Sequence, residues 1–245
     1  VHYQIMYLYY NKMNSYFDMV YVVTTERLKN RHEYIKNHLS KYDINFRFIY
    51  GPDKKNIDVN DYNISSDLLK RDKDDIQHEI GCLLSHYFSW IDMIDNNYKN
   101  CVILEDDCHL HPNFIEKNNK FLKNISKIDW DIIQYGWQPY DYYNRDSIPS
   151  YMKMDKINEN VFEQWSFIGG AHCYAINRKT AHIFKDNLVL LKKDKQKEDI
   201  NLYRKGIISK SIDGYIGDLS NPWTKQKNNI NLKSYRPDEC LAFDC

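Results

Sequence analysis

Cys101-Val-Ile-Leu-Glu-Asp-Asp107 is a run of four apolar residues followed directly by three acids. A run so short and so uniformly apolar fits a strand in the middle of a sheet covered on both faces. Three adjacent carboxylates at its end repel one another, which favours protonation unless a cation is near. In open α/β sheets, ligands bind beyond the carboxyl ends of the strands. The stretch therefore reads as a central strand with a charged site at its exit. Oxygen ligands of this kind suit magnesium or manganese. From the triplet alone, a solvated acidic turn in which Glu105 caps the next helix stays open.

Working outward, Ile80, Leu83, Leu84, Tyr87, Phe88, Ile91 and Ile94 recur every three or four residues and predict a helix, ended by Asn96-Asn97. Further upstream, Val20-Tyr-Val-Val-Thr24 reads as a buried strand. A helix is expected near Asn30 to Lys41, then a strand at Phe46 to Tyr50 stopped by Gly51-Pro52. Residues 54–75 are polar and without clear pattern. Downstream, Pro112 opens a helix with Phe114, Ile115, Phe121, Leu122 and Ile125 on its inner face. Asp131 to Tyr135 is a fourth strand, and 136–163 reads as a long excursion. A strand at Cys173 to Ile176 and a helix at Arg178 to Phe184 follow. This alternation argues for a layered α/β fold.

The 245 residues suffice for one large domain or two small ones. The 42% hydrophobic and 28% charged content excludes a wholly disordered chain. Lys plus Arg and Asp plus Glu are 34 each, which argues against a general electrostatic binder of nucleic acid. No apolar stretch reaches the roughly 18 residues of a membrane-spanning helix. Residues 1–18 are tyrosine-rich and lack the basic-then-apolar layout of a signal peptide, so they read as an N-terminal extension or a cloning remnant. None of the six cysteines forms a C-x-x-C pair, so reduced structural thiols and an intracellular, cytoplasmic home are expected. A reactive or paired Cys240 and Cys245 stays open. Cys108, His109 and His111 suggest a soft-metal site, but two histidines two apart on a turn are usually surface residues.

Four segments in order resemble glycosyltransferase family 25. They are Tyr21-Val-Val-Thr-Thr-Glu-Arg27 with Arg31; Glu79-Ile-Gly-Cys-Leu-Leu-Ser-His86; Val102-Ile-Leu-Glu-Asp-Asp107; and Gly170-Ala-His-Cys-Tyr-Ala-Ile-Asn-Arg-Lys179, followed by Ile212-Asp213. The resemblance implies a single GT-A type, Rossmann-like domain over residues 19–220. Its sheet would be mostly parallel with helices on both faces, and residues 221–245 would be a tail packed on it. It implies a UDP-sugar donor, a manganese (or magnesium) ion and an inverting transfer. Asp106 and Asp107 would be the metal ligands, with Asp106 also touching the donor and Glu105 holding the loop or the ribose. Thr24, Thr25, Arg27 and Arg31 would lie near the nucleotide, with Gly81, Ser85 and His86 of the second motif lining the same site.

An inverting transfer needs a general base for the acceptor hydroxyl. Asp213 matches the first acid of the family's last motif and is the expected base, with Asp218 the runner-up. Gly214 stands where the family has a second acid, and Thr24-Thr25 stands where Asn-Leu is commoner. His172 occupies a variable position. The expected acceptor is a glycan or a hydroxylysine of a collagen-like protein; Trp90, Trp130, Trp137, Trp165 and Trp223 offer stacking surfaces, although tryptophan is more often core, and Trp137 and Trp165 are the better candidates. A non-catalytic relative that binds a sugar nucleotide or a partner protein is the competing class. A metal-dependent phosphohydrolase is a third, without a nucleophile motif to support it. The even charge and the tyrosine-rich start are compatible with a homodimer.

Overall fold

A computed structural model describes residues 13–137, 154–165, 167, 169–188, 211–220 and 230–244. Its strands in chain order are β1 (Met19–Thr25), β2 (Arg47–Gly51), β3 (Asn100–Glu105), β4 (Cys108–Leu110), β5 (Ile132–Gln134), β6 (Met154–Asn158), β7 (Val161–Gln164), β8 (Cys173–Asn177), β9 (Ser234–Pro237) and β10 (Ala242–Asp244). The helices are α1 (Met13–Tyr16), α2 (Lys29–Ser40), α3 (Lys73–Asp95), α4 (Phe114–Ile125), α5 (Arg178–Asn187) and α6 (Ile212–Ser220).

Eight strands make one sheet in the order β2-β1-β3-β8-β5-β9-β7-β6, and β10 pairs separately with β4. β2, β1 and β3 are parallel, with Tyr21 opposite both Arg47 and Ile103. This half is the Rossmann-like arrangement that the sequence predicts. β8 then runs antiparallel between β3 and β5, while β9 is parallel to β5 and antiparallel to β7. The sheet is thus more mixed than a mostly parallel one. A strand that returns from the end at which β5 exits can pair antiparallel without a helical crossover.

Side chains alternate across the sheet, as the pleat requires. Val20, Val22, Val102 and Leu104 face a core made with α1, α2 and α4, including Phe17, Ile35, Leu39, Phe114 and Phe121. Tyr21, Val23, Cys101 and Ile103 face the other core, made with α3, α5 and α6 through Ile80, Leu83, Phe184 and Ile216. Helices therefore cover both faces. α3 is capped by Asp72, whose side chain accepts from the Asp75 amide at 2.9 Å, and is followed by Asn96-Asn97, where Asn97 takes a left-handed φ of 58°.

The polar segment 54–75 folds as three short 3-10 turns, Lys54–Asn56, Val59–Asp61 and Leu68–Lys70, with Ile57 and Leu68 buried toward α3. The helix expected from Pro112 begins two residues later, with Asn113 at its N-cap. The far end of the long excursion is the β6–β7 hairpin. Its outer strand, Met154–Asn158, is mostly exposed, so it lacks the apolar signature of a strand. Met13 and Phe17 are buried before residue 19, and β9 and β10 are built from residues after 220. Among the described residues, no helix is long and apolar enough to cross a membrane, and Cys82, Cys101, Cys108, Cys173 and Cys240 are free thiols.

Candidate functional site

The parallel pairing of β1 and β3, with Val23 opposite Glu105, brings Thr24-Thr25 beside the acidic run. Thr24 Oγ1 makes a very short hydrogen bond to Asp106 Oδ2. Arg31, in the first turn of α2, reaches across with one nitrogen. Its Nη1 donates to Asp106 Oδ1 at 2.8 Å and to Asp107 Oδ2 at 2.9 Å. These bonds, Asp106's first, raise the Arg31 pKa. His32 Nε2 lies 3.1 Å from Thr24 Oγ1 and 3.0 Å from the Thr25 carbonyl oxygen.

Asp106 is buried, with one oxygen on Thr24 and the other on Arg31. Asp107 keeps an oxygen in reserve: its Oδ1 is buried and has no hydrogen-bond partner, and the same holds for Thr25 Oγ1 on the neighbouring strand. Burial pushes the Asp107 pKa up. The negative charge of Glu105 adds to this, and Arg31 only partly opposes it. An ionised carboxylate oxygen can only accept, so this atom lacks a donor or a cation. A hard divalent ion fits that requirement.

Glu105 is held from the other side. Its Oε1 lies 3.3 Å from His86 Nε2 and accepts from Cys82 Sγ at 3.6 Å, both on one face of α3. His86 Nδ1 is 2.9 Å from Tyr174 Oη, which also accepts from Trp90 Nε1 at 3.1 Å. Burial alone would push the Glu105 carboxyl up. The hydrogen bond and charge of His86, the charge of His172 and the Cys82 bond outweigh it, and the Glu105 pKa is lowered. Burial and the nearby charges of Glu105, Glu79 and Asp213 push the Cys82 thiol well above its ordinary value.

Asp213, at the start of α6, belongs to the same neighbourhood: its charge helps raise the pKa of Glu79, after burial and against Arg71. Three donors converge on its carboxylate. The Gly214 amide lies at 2.8 Å, the Gly170 amide at 3.3 Å, and Ser211 Oγ makes a very short bond. Gly170 has φ 105°, a conformation open to glycine, and its amide meets the carboxylate from there. Asp218 lies five residues along the same helix.

Other expected site residues lie elsewhere. Arg27 pairs with Asp53 at 2.5 Å rather than with the acidic run. Ser85 Oγ turns back to the Gly81 carbonyl oxygen at 2.7 Å, and a Cβ on Gly51 would fall 1.9 Å from it. Gly81 and Ser85 therefore serve the packing of α3 against β2. His172 Nε2 sits 3.0 Å from the Ala242 carbonyl oxygen, in space that a Cβ on Gly136 would fill. The His109 ring packs at a tilt against His38, with ring centroids 4.4 Å apart. Trp165 is exposed, and Trp137 lies under the Arg236 guanidinium at 4.3 Å. Trp90 and Trp130 are buried, as expected, while Trp223 and Cys245 fall outside the described residues. Sequence reasoning missed the anchoring by Trp90 and Tyr174, because a tryptophan on an apolar helix face and a tyrosine within a strand read as core.

Comparison with known proteins adds a family. The description "Glycosyltransferase family 25 (LPS biosynthesis protein)" matches residues 17–197. Human procollagen galactosyltransferase 2 is 27% identical over 129 residues, which is 49% of this chain and 21% of that protein. A glycosyltransferase 25 family member of Aedes aegypti is 39% identical over 59 residues, 24% of this chain and 10% of that protein. The human inactive glycosyltransferase 25 family member 3 is 26% identical over 129 residues, 49% of this chain and 22% of that protein. The chain thus spans about a fifth or less of the length of these relatives. With the family match covering the β1–β3 half of the sheet and the acidic run at its exit, the chain belongs to glycosyltransferase family 25.

Proposed function

We propose that the chain is an inverting, metal-dependent glycosyltransferase of the GT-A type. It moves a hexose, galactose or glucose, from a UDP-sugar to a hydroxyl acceptor. The observation that carries this reading is the buried, unpartnered Oδ1 of Asp107, beside an Asp106 already fixed by Thr24 and Arg31. Asp107 would hold a manganese or magnesium ion, and Asp106 would set the loop. When bound, the ion supplies positive charge that stabilises a diphosphate leaving group.

The remaining work falls to the chain's own groups. Thr25 Oγ1 offers a hydroxyl to the nucleotide half of the donor, and Arg31 keeps a cation beside the acids. Glu105 is oriented by His86. The Asp213 carboxylate, fixed by Ser211, Gly170 and Gly214, takes the proton from the acceptor hydroxyl as it attacks in line. The relatives named procollagen galactosyltransferases favour a hydroxylysine of a collagen-like protein as acceptor, and the family's lipopolysaccharide label favours a glycan. The relative named inactive supports a second reading, a non-catalytic binder of sugar nucleotides.

The test is UDP release across a panel of UDP-sugars with manganese, with and without a hydroxylysine-containing collagen peptide. The enzyme reading expects release with one sugar, stimulated by an acceptor and lost in Asp107→Ala. Silence from a folded protein that still binds UDP supports the non-catalytic reading.

A further inference from the structure

The Sγ of Cys82, a ring nitrogen of His86 and a carboxylate oxygen of Glu105 lie within 4.8 Å of one another, a set that does not include Asp107. Cys82 and His86 are four residues apart on α3, so both side chains leave the same helix face. Glu105 meets them from the end of β3. A thiolate and an imidazole beside one hard carboxylate form a mixed ligand set, which suits zinc better than manganese or magnesium.

The distances fit as well. With bonds of about 2.3 Å to sulfur and about 2.0–2.1 Å to nitrogen and oxygen, a tetrahedral zinc site has S···O edges of about 3.5 Å and N···O edges of about 3.3 Å. Here Sγ to Oε1 is 3.6 Å and Nε2 to Oε1 is 3.3 Å. The supporting contact is also in place. Metal-bound histidines are oriented by a partner on the other ring nitrogen, and His86 Nδ1 has the Tyr174 hydroxyl at 2.9 Å.

We propose that Cys82, His86 and Glu105 form a zinc site that clamps α3 to the exit of β3. Binding displaces two protons to solvent, one from the Cys82 thiol and one from His86 Nε2, which donates to Glu105 in the metal-free state. His86 presents a bare Nε2 and keeps its proton on Nδ1, donated to Tyr174. The fourth position is left to water.

Cobalt titration of the whole chain tests this. A tetrahedral thiolate site shows a sulfur-to-cobalt charge-transfer band in the near ultraviolet, saturating at one equivalent and removed by zinc. Cys82→Ser is expected to abolish the band, whereas Asp107→Ala is expected to retain it. Tyr174→Phe is expected to keep the band and weaken zinc binding by about 10–100-fold, read by competition with a chromogenic chelator. This last variant serves if Cys82→Ser fails to fold. Absence of the band in the wild type, its survival in Cys82→Ser, its loss in Asp107→Ala, or unchanged zinc affinity in Tyr174→Phe would each overturn the proposal.

Discussion

Arg31 Nη1 donates to Asp106 Oδ1 at 2.8 Å, so the middle acid of the run is committed to a protein cation before any ligand arrives. The same nitrogen bonds Asp107 Oδ2, so a single point of positive charge serves both acids. A planar fork is not used. Lysine, also a point charge, should therefore replace arginine here better than at a bidentate site. Arg31→Lys is expected to keep UDP release within about tenfold of wild type, and Arg31→Gln to lose about 100-fold. Equal losses in both variants would show that guanidinium geometry, not charge, is what matters.

Asp107 is held in a charged state that its surroundings resist. Burial and the charge of Glu105 raise its pKa above the ordinary 3.8, so the ionised form is less favourable in the folded protein than in the unfolded chain. At neutral pH this lowers stability. Asp107→Asn should raise the thermal midpoint at pH 7, and the gain should vanish below the ordinary pKa, where wild-type Asp107 is protonated both folded and unfolded. Manganese should raise the midpoint of the wild type and leave Asp107→Asn unmoved. Differential scanning fluorimetry with and without the metal reads both effects.

Gly51 ends β2 directly against α3. A Cβ there would lie 1.9 Å from Ser85 Oγ and 2.9 Å from Ser85 Cβ. Gly51→Ala should destabilise by about 1–3 kcal/mol through overpacking. Adding Ser85→Gly should restore part of that loss, because the clashing atoms are gone. Urea denaturation of the two single variants and the double variant gives the coupling, and simple additivity would reject the contact.

His38 supplies the pH response. Its ring is buried, and its Nε2 accepts from the Leu110 amide at 2.8 Å. Burial, then the charges of His109 and Lys41, lowers its pKa from 6.5 to about 4. The unfolded chain therefore takes up this proton more readily. Stability from this group is complete above pH 6.5 and lost progressively down to about pH 4. The loss is at most about 3 kcal/mol. His38→Gln, which keeps an acceptor for Leu110, should flatten that acid limb in melts taken between pH 4 and 7.

β1 and β3 of the parallel half could be read from sequence because each is a short run of apolar residues on both faces, Val20 to Val23 and Cys101 to Leu104. The 3.6-residue period of α3 was just as plain. β6 and β9 were hidden for opposite reasons. Met154–Asn158 is largely exposed and has little apolar pattern, and Ser234–Pro237 buries a serine and ends on proline, which reads as loop. In the site, adjacency along the chain marked Glu105, Asp106 and Asp107 as a group. It could not show that Arg27 would turn to Asp53, or that Ser85 would close on its own helix. Those outcomes depend on which partner each side chain meets once the elements are packed, across to Asp53 for Arg27 and one turn back along the helix for Ser85.

The placement of β9 between β5 and β7 bears on how the molecule is made. Its neighbours precede it by roughly a hundred and roughly seventy residues, so two strands wait with open hydrogen-bonding edges until β9 is inserted. Pairings of such long sequence separation are slow to form. On the ribosome, β1, β2 and β3 emerge long before β9, so the acidic loop can be shaped while the far half of the sheet is still incomplete. Substitutions in Ser234–Pro237 should accordingly lower the yield of folded protein more than the activity of each molecule that completes the sheet.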